Sequence, residues 1–356
     1  MRRNILLTVR DGRISAIRDA TPGALPRSEL IDLGHCTVVP ALVDCSVFLV
    51  RSPSLSGCGL SPIVSHVGEE QGHLLEKHVH YCRVHGVLGV ADREDIGDLL
   101  SRRPAAARQA VPVEIRNGGL QGDLLRISYS PGIHATGTEQ DQTEAGSLQR
   151  LVRTAAGRRI VVVANGSRRI REALDAGCDC IEQGYGMEEA HLRIMADQRI
   201  VWIPSLVRAK NGLDSVAGGG SVCCRFSTRY VAPGQADPAA EAYWRDLLEK
   251  QMSALGIARR LGVRVAVGTG AGQPGILHGE SVAEEVKLFL KAGYSLEEAI
   301  ACATETGARF CRMDGLGALR IGSRATFLVI RGTVRQLPRK LAYLEMVYIR
   351  GRPDGK

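Results

Sequence analysis

An α/β architecture, a parallel (β/α)8 barrel with a small β-sandwich made by both chain ends, is what this 356-residue sequence predicts. Short apolar runs alternate with longer amphipathic segments through the middle of the chain, the pattern of parallel strands returned by helices. The two ends read instead as short strands and turns. The length suits a barrel with a small appended domain and allows a large core.

Taken in order, Asn4 to Val9 reads as a strand, Asp11-Gly12 as a tight turn, Arg13 to Arg18 as a second strand and Glu29 to Asp32 as a third. Ala325 to Ile330 and Met346 to Ile349 repeat this style at the far end. The expected division is therefore residues 1–36 plus 319–356 for the sandwich and 37–318 for the barrel. Eight barrel strands are expected: Val38 to Val43, Val87 to Ala91, Val113 to Ile115, Leu124 to Ile127, Ile160 to Ala164, Cys180 to Glu182, Val201 to Pro204 and Val265 to Gly268. Helices are expected over Arg168 to Ala176, Glu188 to Asp197, Ala239 to Leu261 and Ser281 to Lys291. A last helix, Ser295 to Arg312, opens with a capping box in which Ser295 and Glu298 satisfy each other's backbone amides. Two long loops, Arg51 to Gly68 and Arg208 to Pro238, fall on the strand C-terminal face, where barrels build their sites.

Composition excludes several functional classes. Aromatics are 4% of residues, too few for base-stacking platforms, and the net charge of +8 is carried by scattered Arg rather than by a basic arm. No nucleic-acid partner is expected. No apolar stretch is long enough to span a bilayer, so no membrane partner is expected either. Ten Cys without a secretory pattern suggest a reducing, cytoplasmic setting.

The runs TVVPALVDCSVFLV, VVVANG, IEQG and VAVGTGAG, with DGRISAI, SELIDLGHCTVVP and IGSRATFLVIRG at the ends, resemble the amidohydrolase superfamily, most of all its imidazolonepropionase and prolidase-type dipeptidase branch. That resemblance implies a TIM barrel whose strand tips hold one or two divalent metals that activate a hydrolytic water. At the matching positions this chain differs. Ser46 and Phe48 stand for the paired His of the first barrel strand, and Arg126 for the bridging carboxylated Lys of the fourth. Asn165 and Gln183 stand for His in the fifth and sixth, and Gly270 for the Asp of the eighth. Thr326 likewise replaces a customary Asp in the terminal strand. None of these replacements is a good first-row metal ligand, and Arg126 would repel a cation.

The expectation is therefore a barrel with no metal ligands and no cofactor, acting as a non-catalytic binding, regulatory or assembly subunit. The alternative is a divergent hydrolase of C–N bonds in non-peptide amides, cyclic amides or small peptides, with Cys45 or Arg126 as the catalytic candidates. Ser46, Arg126, Asn165, Gln183, Thr269 and His278 are the candidate ligand-binding residues. The partners in view are a small polar or anionic ligand, a protein partner or a homo-oligomer. His78, Cys82 and His85 share one helix face but are expected to lie far from the strand tips. Cys178 and Cys180 are expected to pack, and Cys223-Cys224 is the candidate for redox chemistry in a loop.

Overall fold

In the computed structural model, residues 4–20, 30–53, 69–105, 107, 112–119, 122–130, 133, 145–155, 157–216 and 237–354 are described. Strands β1 (Ile5–Arg10) and β2 (Arg13–Asp19) form an antiparallel hairpin. Asp11 and Gly12 both take positive φ in its two-residue turn, as a primed turn requires. Strand β3 (Cys36–Pro40) then joins the far end of the chain and β4 (Leu42–Val47) begins the barrel. One expected strand is thus two, divided at Ala41. Up to Pro40 the backbone pairs antiparallel with a C-terminal strand, whereas Leu42 donates its N–H to Gly86 O at 2.9 Å. The expected strand at Glu29 to Asp32 is not found over the described Leu30–Asp32. There Asp32 accepts the Gly34 amide in a local turn, and Leu30 and Ile31 are exposed and pair with no described strand.

The barrel continues with β5 (Val87–Asp92), β6 (Glu114–Arg116), β7 (Leu124–Ser128), β8 (Arg159–Ala164), β9 (Cys180–Gln183), β10 (Val201–Ile203) and β11 (Arg264–Val265). They lie in two parallel sheets, ordered β4-β5-β6 and β11-β10-β9-β8-β7. Backbone bonds close the ring at both seams: Leu124 N donates to Asn117 O at 3.2 Å, Cys45 N to Val267 O at 2.9 Å and Gly270 N to Ser46 O at 2.7 Å. This is the (β/α)8 barrel. Helices α1 (Glu69–Val84), α2 (Gly97–Arg102), α3 (Ala145–Arg153), α4 (Ser167–Asp175), α5 (Glu189–Asp197), α6 (Leu206–Val216), α7 (Pro238–Leu261) and α8 (Ser281–Lys291) return the chain between strands. Between β6 and β7 there are only residues 117–123. A three-residue strand spans about 10 Å, so a short loop suffices to return. Gly122 makes that loop possible, because a Cβ there would sit 2.3 Å from Asn117 O.

The segment expected as loop from Arg208 is helical as far as Val216. Glu285 reaches from α8 to accept the Leu206 and Val207 amides at 2.8 and 2.7 Å, capping α6 from a distant element. Residues 54–68 and 217–236, with Cys58, Gly218–Gly220 and Cys223-Cys224, lie outside the described residues.

The final helix keeps its capping box, Glu298 N to Ser295 Oγ at 3.2 Å and Ser295 N to Glu298 Oε2 at 2.7 Å. It is not one continuous α-helix: α9 (Leu296–Ala301) runs into a π turn at Cys302–Thr306 and resumes as α10 (Gly307–Phe310). The wider turn frees the Cys302 carbonyl to accept Val267 N at 3.0 Å, which serves the strand edge that β11 leaves short.

Strands β12 (Phe327–Arg331), β13 (Met346–Ile349) and β14 (Arg352–Asp354) complete a four-stranded sheet in the order β14-β13-β12-β3. The β1–β2 hairpin packs on it through Ile14, Phe327, Val329 and Tyr348. Within the barrel, alternate residues face inward: Val43 and Cys45, Leu124, Val161, Cys180, Val201 and Ile203 fill the interior together with Phe310 and Met313 from beyond the strands. Among the described residues no helix is long and apolar enough to cross a membrane.

Candidate functional site

Parity along β9 decides what occupies the barrel mouth. Cys180 faces inward and Ile181 faces the helices, so Glu182 faces inward one layer nearer the strand tips. It is fully buried. Ser46 Oγ donates to Glu182 Oε1 at 2.7 Å, the Arg93 guanidinium lies 3.3 Å from the same oxygen, and Arg126 forms an ion pair with Oε2. Arg126 also donates to Cys45 O at 2.9 Å, and its side chain is 2% exposed. A single carboxylate thus joins β4, β7, β9 and the residue after β5 across the interior.

Burial governs the titration of these groups. Desolvation, then the mutual repulsion of the two guanidiniums, pulls Arg126 down to about 10, still cationic at neutral pH. Arg93 falls to about 10, through desolvation and then Arg51. Asp44, fully buried on β4, accepts Thr269 N at 2.9 Å, Thr269 Oγ1 at 2.6 Å and Ser46 N at 3.1 Å. Desolvation outweighs those bonds and pushes its carboxyl up to about 6. Asp92 accepts Leu49 N and Glu94 N, both at 2.7 Å, and burial raises it to about 7.

The candidate ligand-binding residues do not converge on one point. Ser46 and Arg126 meet at Glu182. Asn165 donates to Gln183 Oε1 at 2.8 Å and accepts Tyr185 N at 3.1 Å, forming a separate amide pair beside the mouth. Gln183 takes φ +67°, a left-handed conformation that turns the chain out of β9. Thr269 is committed to Asp44 rather than to the interior. His278 lies 3.0 Å from Phe48 O and stacks on His78. The Phe48 ring lies under the Arg51 and Arg93 guanidiniums, at 4.2 and 4.8 Å.

Cys45 is fully buried with its Sγ 3.8 Å from that of Cys311. The neighbouring thiol and then burial push it well above the ordinary thiol range, so little thiolate forms near neutral pH. Cys178 and Cys180 are buried in the same way. His78 is not far from the strand tips: its Nδ1 is 2.6 Å from Leu49 O, just beyond β4, because α1 packs its inner face against that strand end.

Sequence reasoning passed over Glu182, Arg93 and Asp44 as contributors and set His78 far from the strand tips. Glu182 carries a readable signal, an acidic residue at an inward position of an apolar strand, which demands a buried partner. Arg93, in the polar run after β5, looks like any solvated arginine.

These side chains do not fit a divalent cation. The Ser46 hydroxyl is spent on Glu182, Phe48 and Gly270 offer no donor, and Asn165 and Gln183 bind each other. The inward carboxylate of Glu182 is held between two guanidiniums. Among the described residues no group of three or more His, Cys, Asp or Glu is arranged to hold a metal ion.

Comparison with known proteins places this geometry in a family. Uncharacterized proteins of Mycobacterium tuberculosis and Mycobacterium bovis are 29% identical over 203 residues, which is 56% of this chain and 49% of theirs. The chain spans about half the length of these curated relatives. Among solved structures, a Xaa-Pro dipeptidase with methionine bound in its active site superposes with a TM-score of 0.77 at 19% identity, over 98% of this chain and 94% of that one. Molinate hydrolase gives 0.72 at 13% identity, over 98% and 90%, and A. niger ochratoxinase 0.71 at 16%, over 99% and 91%. At such identities the likeness shows the fold. The profile of the amidohydrolase family matches residues 133–352, well over half of the sequence. This chain therefore belongs to the amidohydrolase family.

Proposed function

We propose that this family member works without a metal centre, as a non-catalytic binding, regulatory or assembly subunit. The observation that supports this is Glu182, whose two oxygens are taken up by Ser46, Arg93 and Arg126 in the interior of the mouth. Arg126 stands where the resemblance expects a metal-bridging lysine. Its guanidinium supplies a tethered positive charge where a free cation would otherwise balance the carboxylate. Ligand binding would then fall to the amide pair of Asn165 and Gln183 at the rim, which suits a small polar or anionic molecule, and assembly would show as a homo-oligomer or a complex with another protein.

Metal content is the direct test. Protein incubated with Zn, Mn or Fe salts, desalted and analysed for metal should retain none, and its melting temperature should be the same with and without chelator. One tightly held equivalent per chain would overturn the proposal.

A second reading, a metal-independent hydrolase of C–N bonds, is favoured by Asp44, a buried carboxyl that titrates near pH 6 close to Arg126. Turnover of amides, cyclic amides or small peptides that is lost in folded Arg126→Lys and Asp44→Asn variants would establish it. Cys45 is not carried forward as its nucleophile, because its thiol is buried beside Cys311.

A further inference from the structure

His78 and His278, 200 residues apart in sequence, meet face to face at the barrel mouth. Their ring centroids are 3.8 Å apart and the planes differ by 12°. Each is 2% exposed. His78 Nδ1 lies 2.6 Å from Leu49 O and His278 Nε2 lies 3.0 Å from Phe48 O. A carbonyl only accepts, so both of those nitrogens carry hydrogen, and two neutral imidazoles donate to successive carbonyls just beyond β4. Among the described residues, the remaining nitrogen of His278, Nδ1, is buried without a partner. A second proton there would have no acceptor among those residues and would set a charge against the other ring.

The surroundings offer such a charge little relief. Burial and Lys77 act against it on His78, and burial and His78 itself on His278; among the described residues no carboxylate acts on either ring. Nearby, Asp92 accepts the Leu49 amide, Arg51 and Arg93 cover the Phe48 ring, and Glu280 acts on His85, seven residues on from His78. The two rings thus join α1 and the loop after β11 to the turn that follows β4. The same turn is held by Phe48 N to Ala271 O at 2.7 Å.

We propose that this stacked pair is an acid-sensitive latch, which ties α1 and the loop after β11 to the Phe48–Leu49 turn while neutral and releases that turn when protonated. The latch is independent of whether the barrel hydrolyses anything.

The paired variant His78→Asn with His278→Gln keeps an N–H for each carbonyl and removes the titration. Equilibrium unfolding of both proteins at pH 7 and pH 5 reads the linkage, and amide hydrogen exchange at Leu49 reads its location. His278 has its proton affinity lowered from 6.5 to about 3 in the fold, so the unfolded chain binds the extra proton and stability is lost as the pH is lowered through 6.5. His278 alone should make the folding constant of the wild type, relative to the variant, drop about 20-fold from pH 7 to pH 5, and His78, whose proton affinity burial also lowers, adds to that drop. The Leu49 amide should lose protection at pH 5 in the wild type only. Asp44, Asp92 and Glu285, raised to about 6, 7 and 8 by burial, act in the opposite sense but are common to both proteins, so the difference isolates the pair. Parallel stability curves, or a wild-type Leu49 amide that stays protected, would overturn the latch. If the paired variant does not fold, His278→Gln alone carries the same comparison.

Discussion

Removing Arg126 would leave Glu182 buried with Arg93 and Ser46 alone to hold its charge. Breaking a buried ion pair at one partner costs about 3–5 kcal/mol, so Arg126→Met should lower the unfolding free energy by that order. Glu182→Gln leaves two guanidiniums uncompensated and should cost a similar amount. Because the two changes act on one network, the double variant should cost clearly less than their sum in urea denaturation; additivity would mean that the pair is not coupled. Asp44 makes a different prediction. Its affinity for a proton is higher in the fold, about 6 against 3.8, so the stabilisation from the protonated group is full below pH ~4 and lost as pH rises through 6. Relative to Asp44→Asn, the wild type should lose about 2 kcal/mol between pH 4 and pH 6. A pH-independent difference between the two proteins would contradict it. The positions of Ser46, Arg126, Asn165 and Gln183, on strands or just past them, were legible in the sequence because TVVPALVDCSVFLV, the Leu124 to Ile127 run, VVVANG and IEQG place them there. Their pairing was not, because which inward carboxylate meets which guanidinium depends on barrel register, and the sequence does not print register.

At the scale of elements, the last helix shows where local pattern stops being informative. Its capping box is a three-residue signal and is found as expected. Its π turn is not a sequence signal, since what favours it is the bond to Cys302 O from the Val267 amide, which lies just beyond β11 and 35 residues earlier. The same holds at Pro40-Ala41, where one apolar run serves two sheets, and at α6, whose N-terminus is capped by Glu285 from another helix. Gly307, just past the π turn, is a tight point of this packing. A Cβ there would sit 2.8 Å from Cys45 Sγ and 3.1 Å from Val43 Cγ1. Gly307→Ala should therefore destabilise by about 1–3 kcal/mol through overpacking, despite alanine's better helix propensity. Adding Cys45→Ala removes the closer contact and should recover part of the loss, measured as the shift in chemical-denaturation midpoint. No recovery would place the strain elsewhere.

For the whole molecule, the issue is whether the small sheet is an appendage or part of one folding unit. The division at 36/37 expected from sequence falls inside β3, whose five residues all pair with β12, so we propose that the boundary lies at Ala41. The two parts share apolar surface: Leu328, Ile330, Leu337, Leu341 and Val347 lie in the same core as Val39, Leu42, Leu88 and the α1 residues Leu75 and Val79. Gly86, at the turn into β5, has no room for a Cβ because Leu328 side-chain carbons would be 2.6 and 2.7 Å away. Arg83 of α1 binds Asp354 of β14 at 2.6 Å and Arg324 binds Glu114 of β6 at 2.5 Å, which fixes the orientation of the contact. Deleting residues 319–356 would strip β12 from β3, expose an unpaired apolar edge and uncover the barrel surface beneath Leu328. The truncated chain should therefore elute as aggregate in size-exclusion chromatography, and the full chain should unfold in a single cooperative transition by both fluorescence and far-UV circular dichroism. A soluble, cooperatively melting 1–318 fragment would show instead that the barrel stands alone and that the sheet contact is a docking of two independent domains.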